Sequence, residues 1–400
     1  MTKRLYYDDC MLMAFSATVT ACRPEKERFL IALDQSAFYP TSGGQPYDTG
    51  MLHVGDRCVR VLDVNADEEG VVWHTCDGAL DAGERVQAQI DRERRLDHMQ
   101  QHGGEHMLAG AIWRHLKGVT IGLHTGSEDA TIDVALPDGR VHMTQVEIRL
   151  LEEDVNGHIL ENAPVKCFFP TADELKMLPL RKAPTVDHNV RVVQMGDFEY
   201  CACGGTHPPF TGMIGMVKIL SVTPARGKAR VRFVCGARAQ RLMSCAYEAA
   251  KTAGEMLSCA VEEVTSAIEG LKNRLVEAEK EKAELAMKLA AFWVREAREK
   301  AVRTADGMDI VPLLLPPADR QVLVQCASDL IKGENTVALC AMPSEKGGVQ
   351  VIFACSAGLN CDMGALMRAS GCRGGGKKDF AQGSAQDASV LDTALSALQN

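Results

Sequence analysis

The chain has 400 residues, 46% hydrophobic and 24% charged, with a formal net charge of −9 at pH 7. That content fills the cores of roughly two to four domains, and the acidic balance argues against a general nucleic-acid binder. No run of ~18 apolar residues offers a membrane span, Asp8 and Asp9 interrupt any signal-like segment, and the 15 cysteines are scattered, odd in number and without framework spacing; a cytoplasmic protein with reduced thiols is expected.

Residues 1–90 read as a small β-barrel-like domain. Segments 14–22, 28–34, 57–64 and 70–76 alternate apolar and polar residues between Gly, Pro and Asp, the pattern of short strands joined by turns. Pro40, Gly43, Gly44, Pro46 and Gly50 punctuate FYPTSGGQPYDTG, residues 38–50, and make it a loop. Its glycines either let backbone approach a ligand or simply make a hairpin connection. A helix begins near Asp91 and carries LDHMQQHGGEHMLAGAIWRHL, with Leu96, Met99, Met107, Leu108, Ile112 and Leu116 as its buried stripe. Gly103 and Gly104 weaken it by roughly 1 kcal/mol each relative to Ala, which fits close approach by a substrate or another backbone. Strands follow at 120–126 and 129–136, then a helix at 144–162 ended before Pro164. A strand at 165–170, a short helical connection at 174–182 and strands at 190–200, 215–225 and 229–236 complete the domain. This mixture without a βαβ repeat marks 91–238 as a two-layer α/β domain, and the whole chain as α+β.

Within it, His102-Gly-Gly-Glu-His106 and Cys203-Gly-Gly-Thr-His207 each hold two metal-ligating residues four positions apart. On a helix, positions i and i+4 share a face, so His102 and His106 aim at one point. The glycines make the second run a tight loop that delivers Cys203 and His207 there. Three imidazoles and one thiolate suit a single tetrahedral zinc ion, although four protein ligands are also the mark of a closed, structural site. Glu105 opens a rival reading, since His-x-x-Glu-His is the inverted zinc-peptidase pattern with the glutamate as general base. That reading leaves the cysteine run unexplained. From residue 224 to 242, Arg226, Lys228, Arg230, Arg232, Arg238 and Arg241 occur without an acid. They make either a salt-sensitive phosphate patch or a strand edge guarded by charge.

Residues 239–305 change pattern. Leu257, Val261, Val264, Ile268, Leu271, Leu275, Ala278, Leu285, Leu289 and Phe292 fall on alternating three- and four-residue steps, with Lys282 as the charged seam position. This is a coiled-coil-like helix or helical hairpin, a spacer and a homodimer contact, with room for a bend at Gly270. Residues 306–400 read as a small α/β domain. Segments 321–331, 336–343 and 349–359 look strand-rich, 361–370 helical, and GCRGGGKKDFAQG, residues 371–383, a glycine-rich basic loop. Its Arg373, Lys377 and Lys378 beside three glycines make either a phosphate cradle or a surface loop without ligand, and the spacing is not that of a Walker loop.

Four blocks, FYPTSGGQPYDTG, MQQHGGEHMLAGAI, CACGGTHPPFTGMIGMVKI and GCRGGGKKDFAQG, resemble in the same order the editing domain of alanyl-tRNA synthetase and its free-standing relatives, the long-form alanyl-tRNA editing proteins. The resemblance implies trans-acting, zinc-dependent hydrolysis of the ester of Ser-tRNA(Ala) or Gly-tRNA(Ala), sparing Ala-tRNA(Ala). A pocket built for alanine cannot exclude glycine, and serine adds only a hydroxyl. It also implies His102, His106, Cys203 and His207 as zinc ligands, with Gly43, Gly44 and Gln45 bordering the substrate. Thr120 is either the reader of the serine hydroxyl or an ordinary strand threonine. RNA contacts are expected at Arg226, Lys228, Arg230, Arg232, Arg373, Lys377 and Lys378. The last hundred residues resemble the small domain named for Asp-His-His phosphoesterase relatives, which serves tRNA binding and self-association in that family. The chain departs from the pattern at Gly103, where relatives carry Ser or Thr, and at Glu105. Zinc would either orient the ester and water or lower the pKa of a bound water towards ~7, and a non-catalytic tRNA-binding protein with a structural zinc stays open. A full synthetase is not expected: only residues 1–90 precede the editing block, and no glycine-rich ATP site is visible despite the family's association with ATP binding.

Overall fold

The computed structural model describes residues 1–184, 188–344 and 347–399. The chain divides into two compact units, Met1–Thr252 and Ala253–Asn400.

The first unit opens with a closed barrel. Around it run Ala14–Glu25, Arg28–Leu33, Val72–Cys76, Arg57–Ala66, Gly50–Val54 and Arg85–Ile90, the last pairing back onto the first. Closure leaves no unpaired edge. Inward residues such as Val19, Ile31, Leu52, Val61, Val86 and Ile90 fill the interior. Two of these strands, Gly50–Val54 and Arg85–Ile90, lie outside the segments that the alternation pattern singled out. They pair directly, and a Cβ on Gly50 would stand 2.1 Å from the Gln89 carbonyl oxygen, so only glycine fits.

His74 is fully buried in this barrel. Its Nδ1 lies 3.0 Å from the Ile31 carbonyl, which can only accept, so Nε2, 2.8 Å from the Ser36 hydroxyl, is the acceptor. Burial pushes its pKa down to about 4. The unfolded imidazole takes its proton near 6.5 and the folded one only near 4. Stability is therefore full above pH ~6.5 and falls by up to about 3 kcal/mol as pH drops to ~4, with no further loss below. Urea unfolding of the native protein and His74→Gln across that window should show the difference between them changing by this amount.

After the barrel, Asp91 accepts from the Arg94 amide and starts the helix Arg92–Leu116. The expected single apolar stripe is not what forms: every residue from Gln101 to Ile112 is buried. The helix packs against the helix Gln145–Leu160, the short turn Thr211–Ile214 and strands Val119–Thr125, Glu199–Ala202 and Lys228–Cys235. A Cβ at Gly104 would lie 2.1 Å from Cys235 Sγ, and one at Gly103 3.0 Å from Ile214 Cγ1. The two glycines thus admit neighbouring side chains, in place of the substrate or backbone that the sequence suggested. Around the helix stand a four-stranded sheet, ordered Val217–Ala225, Lys228–Cys235, Ala130–Ala135, Val119–Thr125, and a three-stranded sheet, ordered Val165–Phe168, Val192–Met195, Glu199–Ala202.

In the second unit, the helix Val264–Glu299 runs unbroken through Gly270. The expected bend lies earlier, where Ser258, with φ of +55°, follows the helix Gly236–Leu257. Ala290, Val294 and Ala297 are buried near its end, against the helix Arg320–Leu330. Ile268, Leu271, Leu275, Leu285, Leu289 and Phe292 leave the seam exposed. A six-stranded sheet follows, ordered Val302–Arg303, Asp309–Leu314, Thr336–Pro343, Val349–Cys355, Phe380–Ala385, Arg373–Gly376. Two expectations are corrected here. Segment 321–331 is helical: Asp319 caps it, and Val322, Leu323, Cys326, Ala327 and Leu330 share one buried face. The glycine-rich run is no loop either, because Arg373–Gly376 is an edge strand paired with Phe380–Ala385. A Cβ at Gly374 would stand 2.3 Å from the Gln382 carbonyl oxygen, which explains the glycine without a ligand. Among the described residues, no helix is long and apolar enough to cross a membrane.

Candidate metal centre

His102 and His106 project from one face of the buried helix, while Cys203 and His207 come from the loop that leaves strand Glu199–Ala202. One donor atom from each lies within 4.8 Å of the other three. His102 Nε2 is 3.4 Å from Cys203 Sγ. A tetrahedral ion with Zn–N of ~2.0–2.1 Å and Zn–S of ~2.3 Å needs donors ~3.3–3.6 Å apart, so this edge already has the required length.

The chemistry of the donors fits a cation. Both ring nitrogens of His106 and of His207 are buried without a hydrogen-bond partner among the described residues, an arrangement that costs ~1–3 kcal/mol per group unless something supplies the missing bond. Burial, then the neighbouring imidazoles, hold His106 and His207 well below the usual histidine range, and burial with the Arg191 charge pushes His102 to about 4. All three rings are therefore neutral, the form that ligates. Burial raises the Cys203 thiol to about 12, so its thiolate needs a positive partner in contact.

A second layer orients these donors. Gln45 Oε1 accepts from His102 Nδ1 at 2.8 Å and from the Thr206 amide at 3.1 Å, while its Nε2 donates to Thr206 Oγ1 at 2.8 Å. The proton thus sits on His102 Nδ1 and the Nε2 lone pair faces Cys203. Gln45, which the resemblance puts at the border of the substrate, has a buried side chain whose bonds go to His102 and Thr206. Arg191, which sequence reasoning passed over, donates to the carbonyls of Cys203 at 3.0 Å and Gly205 at 2.9 Å. A Cβ on Gly205 would lie 2.1 Å from His102 Cε1, so the loop needs glycine there. Gln45→Ala is expected to weaken zinc binding ~10–100-fold, the usual effect of losing such a partner; competition with a chromophoric chelator measures it.

His102, His106 and Cys203 open onto a cleft of about 340 Å³ whose walls include Gly43, Glu105, Thr120 and Arg181. Arg181 Nη1 donates to Thr120 Oγ1 at 2.7 Å, and its Nε pairs with Glu199 Oε1 at 2.9 Å. Thr120 accepts from Arg181, which leaves its own hydroxyl proton to donate. Burial lifts the Glu105 carboxyl to about 7 against the opposing pull of Arg181. Gly44 is needed for packing: its Cα passes so near strand Val119–Thr125 that a Cβ would stand 2.3 Å from the Leu123 carbonyl oxygen. His106, Glu199 and Cys201 also stand close together, but the Glu199 carboxylate is already paired with Arg181.

The basic stripe is largely answered from within. Arg230 makes two bonds to Asp133, at 2.7 and 2.8 Å, and Arg232 pairs with Asp129. Arg238 is buried against Asp97. Arg226 and Lys228, at the hairpin turn, lie outside these pairs, and Arg373, Lys377 and Lys378 belong to the second unit.

Residues 2–94 match the family described as tRNA synthetases class II (A), and residues 190–232, which hold Cys203 and His207, match the threonyl and alanyl tRNA synthetase second additional domain. The alanine–tRNA ligase of Pyrococcus abyssi is 31% identical over 414 residues, covering 99% of this chain and 43% of its own length. That of Methanoregula boonei is 31% identical over 405 residues, covering 98% of this chain and 43% of its own length. The chain thus spans less than half the length of these relatives. The crystal structure of the C-Ala domain from Aquifex aeolicus alanyl-tRNA synthetase covers 25% of this chain and 94% of that one, at 17% identity and a TM-score of 0.23, too low to bear on the fold.

Proposed function

This chain is a relative of the alanyl-tRNA synthetases, and on that premise we propose that its metal-site cleft hydrolyses the ester of Ser-tRNA(Ala) and Gly-tRNA(Ala) in trans and spares Ala-tRNA(Ala). The observation that carries the reading is the meeting of His102, His106 and Cys203 with Thr120 on one cleft. Zinc bound by His102, His106, Cys203 and His207 would supply Lewis-acid charge beside the ester. Gln45 fixes the tautomer of His102, and Arg191 pins the loop that carries Cys203. Thr120, oriented by Arg181, donates to the serine hydroxyl, a contact that favours seryl over alanyl esters and plays no part in the glycyl case. Glu105, on the lining of the same cleft, would accept a proton from the attacking water. Arg226 and Lys228 meet RNA phosphates, as do Arg373, Lys377 and Lys378. Two chains associate through the open seam of Val264–Glu299 or through the C-terminal unit, and the protein works in the cytoplasm.

Deacylation of Ser-, Gly- and Ala-charged tRNA(Ala) by the zinc-loaded protein tests this. Rapid loss of Ser or Gly with Ala spared is expected. A zinc-loaded protein that binds the tRNA and hydrolyses none of the three would overturn the proposal in favour of a structural zinc, a reading supported by the four protein donors. The peptidase reading calls for a distant glutamate as third ligand; Glu199, the one that stands by His106, is paired with Arg181 and not grouped with His102.

A further inference from the structure

A second cleft, of about 690 Å³, opens beside the first turns of the ligand helix. Its size is within the ~300–1,000 Å³ of small-ligand sites. The segment 43–46 divides it from the metal-site cleft: Gly43 lines one and Pro46 the other. Between them the Gly44 carbonyl accepts from the Thr125 amide at 3.3 Å.

Two polar side chains lining this cleft lack partners. His98 and Thr125 are 4% and 5% exposed, yet His98 Nδ1 and Thr125 Oγ1 have no hydrogen-bond partner among the described residues. Burying such atoms is unfavourable unless water or a ligand completes them. Cations stand on two further walls. Arg94 uses its Nε on the Tyr47 carbonyl at 2.9 Å and lies over the Tyr47 ring, which leaves its terminal nitrogens outside any described bond. Arg238 is committed to Asp97 and to the Gly126 carbonyl. Arg241, exposed on the next turn of its helix, is in none of the described pairs, and exposed Glu93 is the remaining acid on the lining. Burial and the charge of Arg94 keep His98 neutral, so it offers a hydrogen bond and no charge.

We propose that this cleft is a second ligand site that takes a phosphate ester, with Arg94 and Arg241 neutralising the phosphate and Thr125 and His98 completing its hydrogen bonds. Donors on the helix, the strand end and the start of the next helix surround a tetrahedral group better than a planar carboxylate, and guanidinium–phosphate bonds are among the strong ones. The phosphate comes either from a free phosphorylated compound or from the backbone of an RNA lying across the neighbouring cleft; the second source rests on the proposed function.

Calorimetric titration of the full-length, zinc-loaded protein with inorganic phosphate, alone and in the presence of a short RNA hairpin, tests the site. Native protein should bind phosphate, and Arg241→Ala and Thr125→Val should each weaken that binding about 10-fold or more. If the hairpin competes with phosphate and loses affinity in both variants, the ligand is RNA backbone; if it leaves phosphate binding unchanged, the ligand is a free phosphorylated compound. The proposal is overturned if native protein binds no phosphate, or if both variants, with native circular dichroism and zinc content, bind it as tightly as native. No aminoacyl ester enters these assays, so their failure leaves the deacylase reading standing, and the reverse holds too.

Discussion

Cys203→Ala should weaken zinc binding more than about 100-fold and, on the proposed function, remove ester hydrolysis with it. Loss of an outer partner alone costs ~10–100-fold, and Cys203 is the one donor that brings negative charge. Without it a dication would face three neutral imidazoles with the Arg191 guanidinium bonded to the same loop. Metal content after dialysis against a chelator, with melting temperature measured beside it, reads the effect. Cys201→Ala is the control, because Cys201 belongs with His106 and Glu199 to the adjoining cluster. Zinc retained in Cys203→Ala and lost in Cys201→Ala would move the ion to that cluster and refute the donor set argued above.

Arg95→Leu should destabilise the first unit by about 3–5 kcal/mol, the range for breaking a buried ion pair from one side. Arg95 and Asp48 are both fully buried. The guanidinium spans both Asp48 oxygens and also donates to the carbonyls of Cys10, at 2.8 Å, and Ala37, at 2.5 Å. Asp48 accepts further from the Tyr39 amide at 2.6 Å. One side chain thus ties the ligand helix to the segment that carries Gln45. Its removal strands a carboxylate and two carbonyls in a dry interior, where each is worth most. Urea unfolding measures the loss. Arg95→Met combined with Asp48→Leu should be less destabilised than Arg95→Leu, since no unpaired charge remains; equal or greater loss would show that packing, not charge, governs the site.

What could be read from the sequence was what local geometry fixes. A four-residue spacing on a helix places His102 and His106 together whatever surrounds them, and paired glycines mark a loop able to turn Cys203 and His207 inward. The alternating barrel strands were readable for the same reason. Arg95 was not, because it sits in the run Arg92 to Arg95 and looks like one more solvated base at a helix start. Gln45, Arg181 and Arg191 act on residues brought near by the fold alone. The basic stripe misled likewise: Asp133 answers Arg230 from 97 positions away. Segment 321–331 shows the other limit, a short apolar run whose helix reading rests on its Asp319 cap and on the spacing of Val322, Leu323, Cys326, Ala327 and Leu330.

The wide sequence separation of the metal donors has a kinetic consequence. His102 meets Cys203 across 101 positions, and Gln45 meets Thr206 across 161. Contacts of that span form after the loops they close have lost most of their freedom, so the donor set is completed on the native side of the folding barrier. Zinc should then slow the unfolding limb of a chevron and leave the refolding limb almost unmoved. The ion would act as a latch on a finished structure, lengthening its lifetime without hastening its assembly.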